Sequence, residues 1–300
     1  MNFCPASNVL GGGVVVSPNT INEHQAMSNT RSLLRALVVI AALIPPGTAL
    51  AQRTDAEWLD DCRYDREERR SRSEVFCEVR VTGVRSPAKS ISMEGLRNGG
   101  VSVTGWTRDS MVVRTRIRVT ARTQSEAREI ASQIRTTIQG GDVIVDGPRN
   151  HDENQWNASL YAMIPERSNL RVETRNGPVG LSELRGDIDA VTSNGPLSLT
   201  NLAGSVRART TNGPLSISLS GSRWEGTGLE ARTTNGPLTI SVPDGYNAHL
   251  EAGTTNGPVS LGFPITVVGR ITRDISTDLG SGGATIRATT TNGPLSIRRK

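Results

Sequence analysis

The chain has 300 residues, 31 of them glycine, with 3% aromatic residues and a formal net charge of +5. So few aromatics exclude a core built on packed rings, and this much glycine favours a regular stack of thin strands. The small basic excess is neither clustered nor interleaved with aromatics, which excludes a nucleic-acid footprint.

The first informative segment starts at Met27 and reads MSNTRSLLRALVVIAALIPPGTALAQ. Arg31 and Arg35 form a basic n-region, Leu37–Ile44 an apolar run, Pro45-Pro46 a break, and Ala49-Leu50-Ala51 a small-x-small cleavage motif before Gln52. This is the pattern of a secretory signal peptide over 27–51, and its apolar run is too short to span a bilayer. Residues 1–26 then lie upstream of a complete signal, with Met27 as the start of translation. The expected product is exported to the periplasm or cell surface, with no membrane span after cleavage. Residues 52–76 form a polar lead-in. The even pair Cys62 and Cys77 predicts a disulfide in an exported chain. No histidine stands near either cysteine, so no metal is expected there.

Residues 77–165 read as a small β-rich region with one helix. CEVRVTGV, SISMEGL, GVSVTGW and MVVRTRIRVTA are strand-like and divided by turn residues. A helix is predicted near 123–138. Thr123 is its N-cap, with Glu126 three residues on, and Ala127, Ile130, Ala131, Ile134 and Ile138 share one face.

Residues 166–300 are repetitive. Asn-Gly-Pro occurs at Asn176, Asn194, Asn212, Asn235, Asn256 and Asn292, in steps of 18, 18, 23, 21 and 36, the last reading as two units of 18. Small residues alternate before each triplet and larger aliphatics after it. Asn-Gly alone would signal a hairpin, but proline pushes the preceding glycine toward extended backbone, so the chain bends without reversing. The expectation is a mainly β protein: a parallel β-solenoid, β-helix-like, of roughly six to seven rungs, preceded by the small sheet with its helix. At each corner the Asn sits in the left-handed region and is buried, bonding the backbone of a neighbouring rung. Ala190/Ala208/Ala231 and Leu199/Ile217/Ile240 line the interior, residues 52–165 cap the first rung, and the terminal Arg-Arg-Lys charges the last edge. A hexapeptide helix is excluded because stepping by six from Leu184 reaches Pro196 and Pro214, and no calcium-binding nonapeptide is present.

Chemistry-bearing residues are sparse. His151, in PRNHDENQW, and His249 lack ligand-spaced partners, so neither a metal nor a cofactor is expected. Asp274 and Asp278, four apart, carry the alternative of a polysaccharide hydrolase or lyase. No nucleophile elbow, P-loop or dinucleotide fingerprint occurs. Arg175, Arg207, Arg209, Arg232 and Arg287 occupy outward positions before the corners, interleaved with Glu173, Asp187, Asp189, Glu230 and Glu251. Cross-strand ion pairing is their expected use. As a binding surface, Arg207, Arg209, Arg232 and Arg287 would suit acidic glycan or phosphate.

The exported amino terminus, the Cys pair, the TTNGPLSI rungs and the closing GGATIRATTTNGPLSIRRK resemble the bacterial putative-adhesin family of β-strand-repeat proteins, a domain-of-unknown-function family, over residues 75–300. The resemblance implies a non-enzymatic envelope interaction module whose partner is an envelope protein or glycan, or a structural or sensory periplasmic protein. It supplies no catalytic residues.

Overall fold

The structure, a computed structural model, describes residues 73–151, 155–262 and 273–300, together with Ala56, Glu57, Leu59 and Cys62. The expected signal peptide, the segment upstream of it, most of the lead-in and the acidic residues following His151 lie outside the described residues. What is described is mainly β, in one large, mostly parallel sheet.

Strands β1 (Glu74–Arg85), β4 (Ser110–Ala121) and β7 (Gln155–Pro165) pair antiparallel in that order. Cys62 is bonded to Cys77 on β1, with Cα atoms 6.4 Å apart. The helix Gln124–Gln133 begins at Thr123, whose hydroxyl accepts from the Glu126 N–H at 3.2 Å. Its Ala127 and Ala131 pack with Ile117, Val119, Ala121 and Ile134. The helix is shorter than expected. Ile134 is already extended, and Ile138 lies in β5 (Arg135–Gln139), opposite Val143 of β6 (Asp142–Asp146). The β-branched run Thr136-Thr137-Ile138 favours a strand. Gly140 and Gly141, both at positive φ, then supply the tight turn of a β5–β6 hairpin.

The repeats stack in parallel. The pre-corner face is built from β8 (Asn169–Asn176), the second half of β9 (Val179–Asn194), the second half of β10 (Leu197–Asn212) and β12 (Gly228–Asn235). The post-corner face is built from the first halves of β9 and β10, then β11 (Leu215–Ser218) and β13 (Leu238–Val242). β9 and β10 each pass a second bend, at Glu183 (φ 57) and Asn201 (φ 48).

The stack starts earlier than residue 166. β2 (Ser90–Asn98) lies parallel to β8, with Asn98 opposite Asn176, and β3 (Val101–Trp106) lies parallel to β9. The first corner is therefore Asn98-Gly99-Gly100. Its missing proline, and the 78 residues to the next corner, hid it from the repeat pattern.

The last repeat is out of order. β17 (Thr285–Asn292) pairs on one side with β12 and on the other with β14 (Ala248–Asn256). β18 (Leu295–Arg299) likewise lies between β13 and β15 (Val259–Leu261). The step of 36 is thus not two units: its extra residues include β16 (Asp274–Leu279), which runs antiparallel along the other side of β14. The Arg-Arg-Lys terminus does not charge an edge either. Arg298 bonds Ser241 Oγ at 3.0 Å, Arg299 pairs with Asp244 at 2.8 Å, and the Lys300 amide bonds the Val242 carbonyl.

Leu170, Ile188, Val206, Leu229, Ile286 and Leu250 form one buried stripe, and Ala190, Ala208, Ala231, Ala288 and Ala252 the next. The larger Leu199, Ile217, Ile240 and Ile297 face them from the post-corner strands. Alternating small and large residues across the interior lets two flat faces approach without voids.

Candidate binding faces

The corners form one continuous amide ladder, from Asn98 through Asn176, Asn194, Asn212, Asn235 and Asn292 to Asn256. Each Nδ2 donates to the Oδ1 of the asparagine before it in this order, at 2.8–2.9 Å. These asparagines are exposed and keep ordinary negative φ, which corrects the expectation of buried, left-handed residues bonding backbone. Backbone is satisfied by other groups. Thr210 Oγ1 donates to the Gly195 carbonyl at 2.9 Å, and Thr192, Thr233, Thr290 and Thr254 each make the same contact to the glycine carbonyl of the neighbouring corner. The glycine N–H bonds the Asn carbonyl of the next corner, as Gly195 does to Asn212. The Asn212→Ala variant loses two exposed amide bonds and should cost about 1–2 kcal/mol, while exposed Thr211→Ala stays within about 0.5 kcal/mol, both read by denaturant melts.

On the pre-corner face the outward charges fall into columns. One column reads, in spatial order, Arg171, Asp189, Arg207, Glu230, Arg287 and Glu251. Its signs alternate without interruption. Arg171 pairs with Asp189 at 4.0 Å, and Arg287 bonds Glu251. In the neighbouring column Arg209 and Arg232 are adjacent, and Arg209 reaches Glu230 at 3.8 Å. The four arginines are therefore distributed among carboxylates rather than gathered into a basic stripe.

The hydrogen bond from Arg287 holds the Glu251 carboxyl below its usual 4.5. A depressed carboxyl contributes stability at higher pH and loses it as pH falls through the folded value. Pairing of β14 with β17 should therefore weaken as the pH falls below 4.5 and through the lowered folded value, and Glu251→Gln should flatten that loss in hydrogen exchange followed against pH.

The two candidate aspartates separate. Asp278 Oδ1 lies 2.7 Å from His249 Nδ1, whereas Asp274 sits opposite Gly253. Ser276 Oγ is 3.4 Å from His249 Nε2, and Glu251 Oε1 is 3.7 Å from the same nitrogen. These side chains stand on an open sheet face across β14 and β16, where they tie the two strands together. His151 is exposed.

The post-corner face is different in kind. Ser102, Gly180, Ser198, Ser216, Thr239, Ser296 and Ser260 form one outward column. Thr104, Ser182, Thr200 and Ser218 form a second, which ends where buried Ser241 is bonded by Arg298. Hydroxyls thus recur about every 4.8 Å along the stack and about 6.6 Å across it. At one end Gly180 leaves a gap in the column. There a groove of about 220 Å³ is lined by Tyr161, Ser102, Pro178, Pro196 and Ser198. The signal lay in the sequence as the residue between the aliphatics in LSL, LSI, LTI, LSI and VSL. Tyr161 carried no such signal, because it reaches this face from β7, opposite Ser102.

Residues 165–298 match the family model described as Toastrack DUF4097, which bears out the resemblance drawn from the repeats. Among solved structures the chain is similar to a putative cell adhesion protein from Clostridium sporogenes, with TM-score 0.42, 10% identity, and 75% of this chain and 100% of that one covered. It is also similar to a putative adhesin from Bacteroides fragilis, with TM-score 0.29, 10% identity and coverage of 74% and 97%. A third is a putative lipid binding protein from Parabacteroides distasonis, with TM-score 0.26, 9% identity and coverage of 74% and 96%. No curated protein matches the chain. No helix among the described residues is long and apolar enough to cross a membrane.

Proposed function

We infer that this Toastrack-bearing chain is an exported, non-enzymatic, adhesin-like module of the cell envelope that binds a neutral, hydroxyl-rich polymer along its post-corner face. Its signal peptide directs export, and its repeats form a parallel β-solenoid of roughly six to seven rungs. The carrying observation is the double hydroxyl column ending in the Tyr161 groove. Serine and threonine hydroxyls both donate and accept, as sugar hydroxyls do, and a tyrosine ring offers an apolar platform with a polar edge. An extended glycan laid along the stack meets a fresh hydroxyl at each rung. The charged face, whose Arg171–Glu251 column alternates in sign, contributes little to this contact.

The test is retention of purified protein on insoluble envelope glycan. A Cβ on Gly180 would meet Ser102 Oγ at 3.7 Å, an ordinary contact, so Gly180→Arg fills the groove without straining the backbone. The variant should melt like the wild type and bind at least about tenfold more weakly, equivalent to about 1.4 kcal/mol. Wild-type binding should change little with salt, since neutral hydroxyls carry no screened charge. Unchanged binding by Gly180→Arg, or no retention of the wild type, would overturn the assignment. Covalent labelling of Ser276 by a fluorophosphonate would overturn its non-enzymatic part.

A further inference from the structure

We propose that the slot between the corners at Asn235 and Asn256 is a strand-exchange site, able to take the repeat Thr285–Arg299 from a second copy of this chain in place of its own. The slot is defined by a mismatch between chain order and spatial order. Its walls, β12/β13 and β14/β15, precede in the chain the strands that fill it. During synthesis both walls therefore emerge before the strand that fills the slot.

An unfilled slot cannot close without penalty. The walls are alike in register, because Leu229 and Leu250 flank Ile286, Ala231 and Ala252 flank Ala288, and Asn235 and Asn256 flank Asn292. Direct pairing of β12 with β14 is therefore sterically available. It would, however, set Glu230 directly against Glu251, which now face Arg287 from either side, and like charges directly opposite in a sheet destabilise it. Arg287 removes the conflict by making the column alternate. The slot thus selects a repeat strand with a cation at this position. The strand from another copy meets the requirement as fully as the chain's own, because every contact is to positions that all copies share. Exchange of a repeat whose contacts are identical within and between copies is the condition for domain swapping.

The first experiment uses two full-length chains, one carrying Arg232→Cys and the other Thr289→Cys. These positions are register partners on β12 and β17, with Arg232 exposed and Thr289 half-buried. The chains are unfolded together, refolded over a range of concentrations and treated with a short bis-maleimide, with wild-type chains as the blank. Interchain cross-linking that grows with chain concentration is expected. The same chains folded separately and then mixed should cross-link at least about tenfold less. Folded chains that never cross-link between copies would overturn the proposal.

A second pair tests the charge rule. Arg287→Glu places three carboxylates in a row, and Glu251→Arg sets two cations side by side. Refolded together, the wild-type strand of the Glu251→Arg chain restores the native column in the slot of the Arg287→Glu chain. Mixed dimers should then exceed either homodimer about tenfold. If Arg287→Glu fails to fold alone, its recovery by the Glu251→Arg chain is the expected result. Equal yields of mixed and homodimers, or no recovery, would overturn selection by charge.

Discussion

Replacing Gly213 by alanine should destabilise the protein by about 4 kcal/mol and lower its melting temperature by roughly 10 °C. A Cβ at this corner would lie 2.1 Å from the Gly195 carbonyl oxygen and 2.5 Å from its carbon. The obstacle is backbone, and it cannot step aside. The Gly195 carbonyl already accepts from Thr210, and the Gly195 N–H already donates to Asn212. Relief would require opening the spacing between two rungs, with loss of ladder bonds on both faces. Gly180 is the internal control. It lies in the same kind of parallel stack, but its Cβ would sit 3.7 Å from the nearest atom, so Gly180→Ala should fall within about 0.5 kcal/mol of wild type. Equal melting of the two variants would mean that the corners yield, and that close backbone approach does not explain the glycine in each triplet.

Truncation of Ile286 to alanine should cost about 2–5 kcal/mol, the range for a fully buried isoleucine. Its side chain is 0% exposed and lies between Leu229 and Leu250. The pattern of loss distinguishes this site from any other in the stack. Because β17 is inserted, loosening it exposes an edge on each neighbour, and amide exchange should quicken on β12 and β14 as well as on 285–299. The same substitution at Ile188 should quicken exchange across β8 and β10 instead. Faster exchange confined to 285–299 after Ile286→Ala would mean that β12 and β14 do not depend on the inserted strand.

Much of this architecture was legible from residue pattern alone. Proline after Asn-Gly ruled out the hairpin, and the alternation of Val206, Ala208 and Thr210 with Leu215 and Ile217 fixed which side chains point inward. Three features were not legible, each for a physical reason. Spatial order among near-identical repeats is not encoded in the shared core pattern, which is alike in β12, β14 and β17. The first rung at Asn98 has no proline, since Gly99 and Gly100 make the same bend without it. The helix ended at Gln133 because a β-branched run found a strand partner, a tertiary contact that helical spacing does not encode. For the site, the charged residues drew attention because charge is conspicuous. The hydroxyl columns are built from residues that look like filler between aliphatics, and Tyr161 joins them only through strand pairing.

The alternating column from Arg171 to Glu251 also sets a rule of parity for how such a chain can grow. Duplicating one eighteen-residue unit, for instance the one bearing Arg207, would lay two cations on successive rungs while leaving the interior intact. Duplicating two consecutive units keeps the signs of this column alternating. Lengthening by duplication therefore preserves the alternation of this column in even steps and breaks it in odd ones.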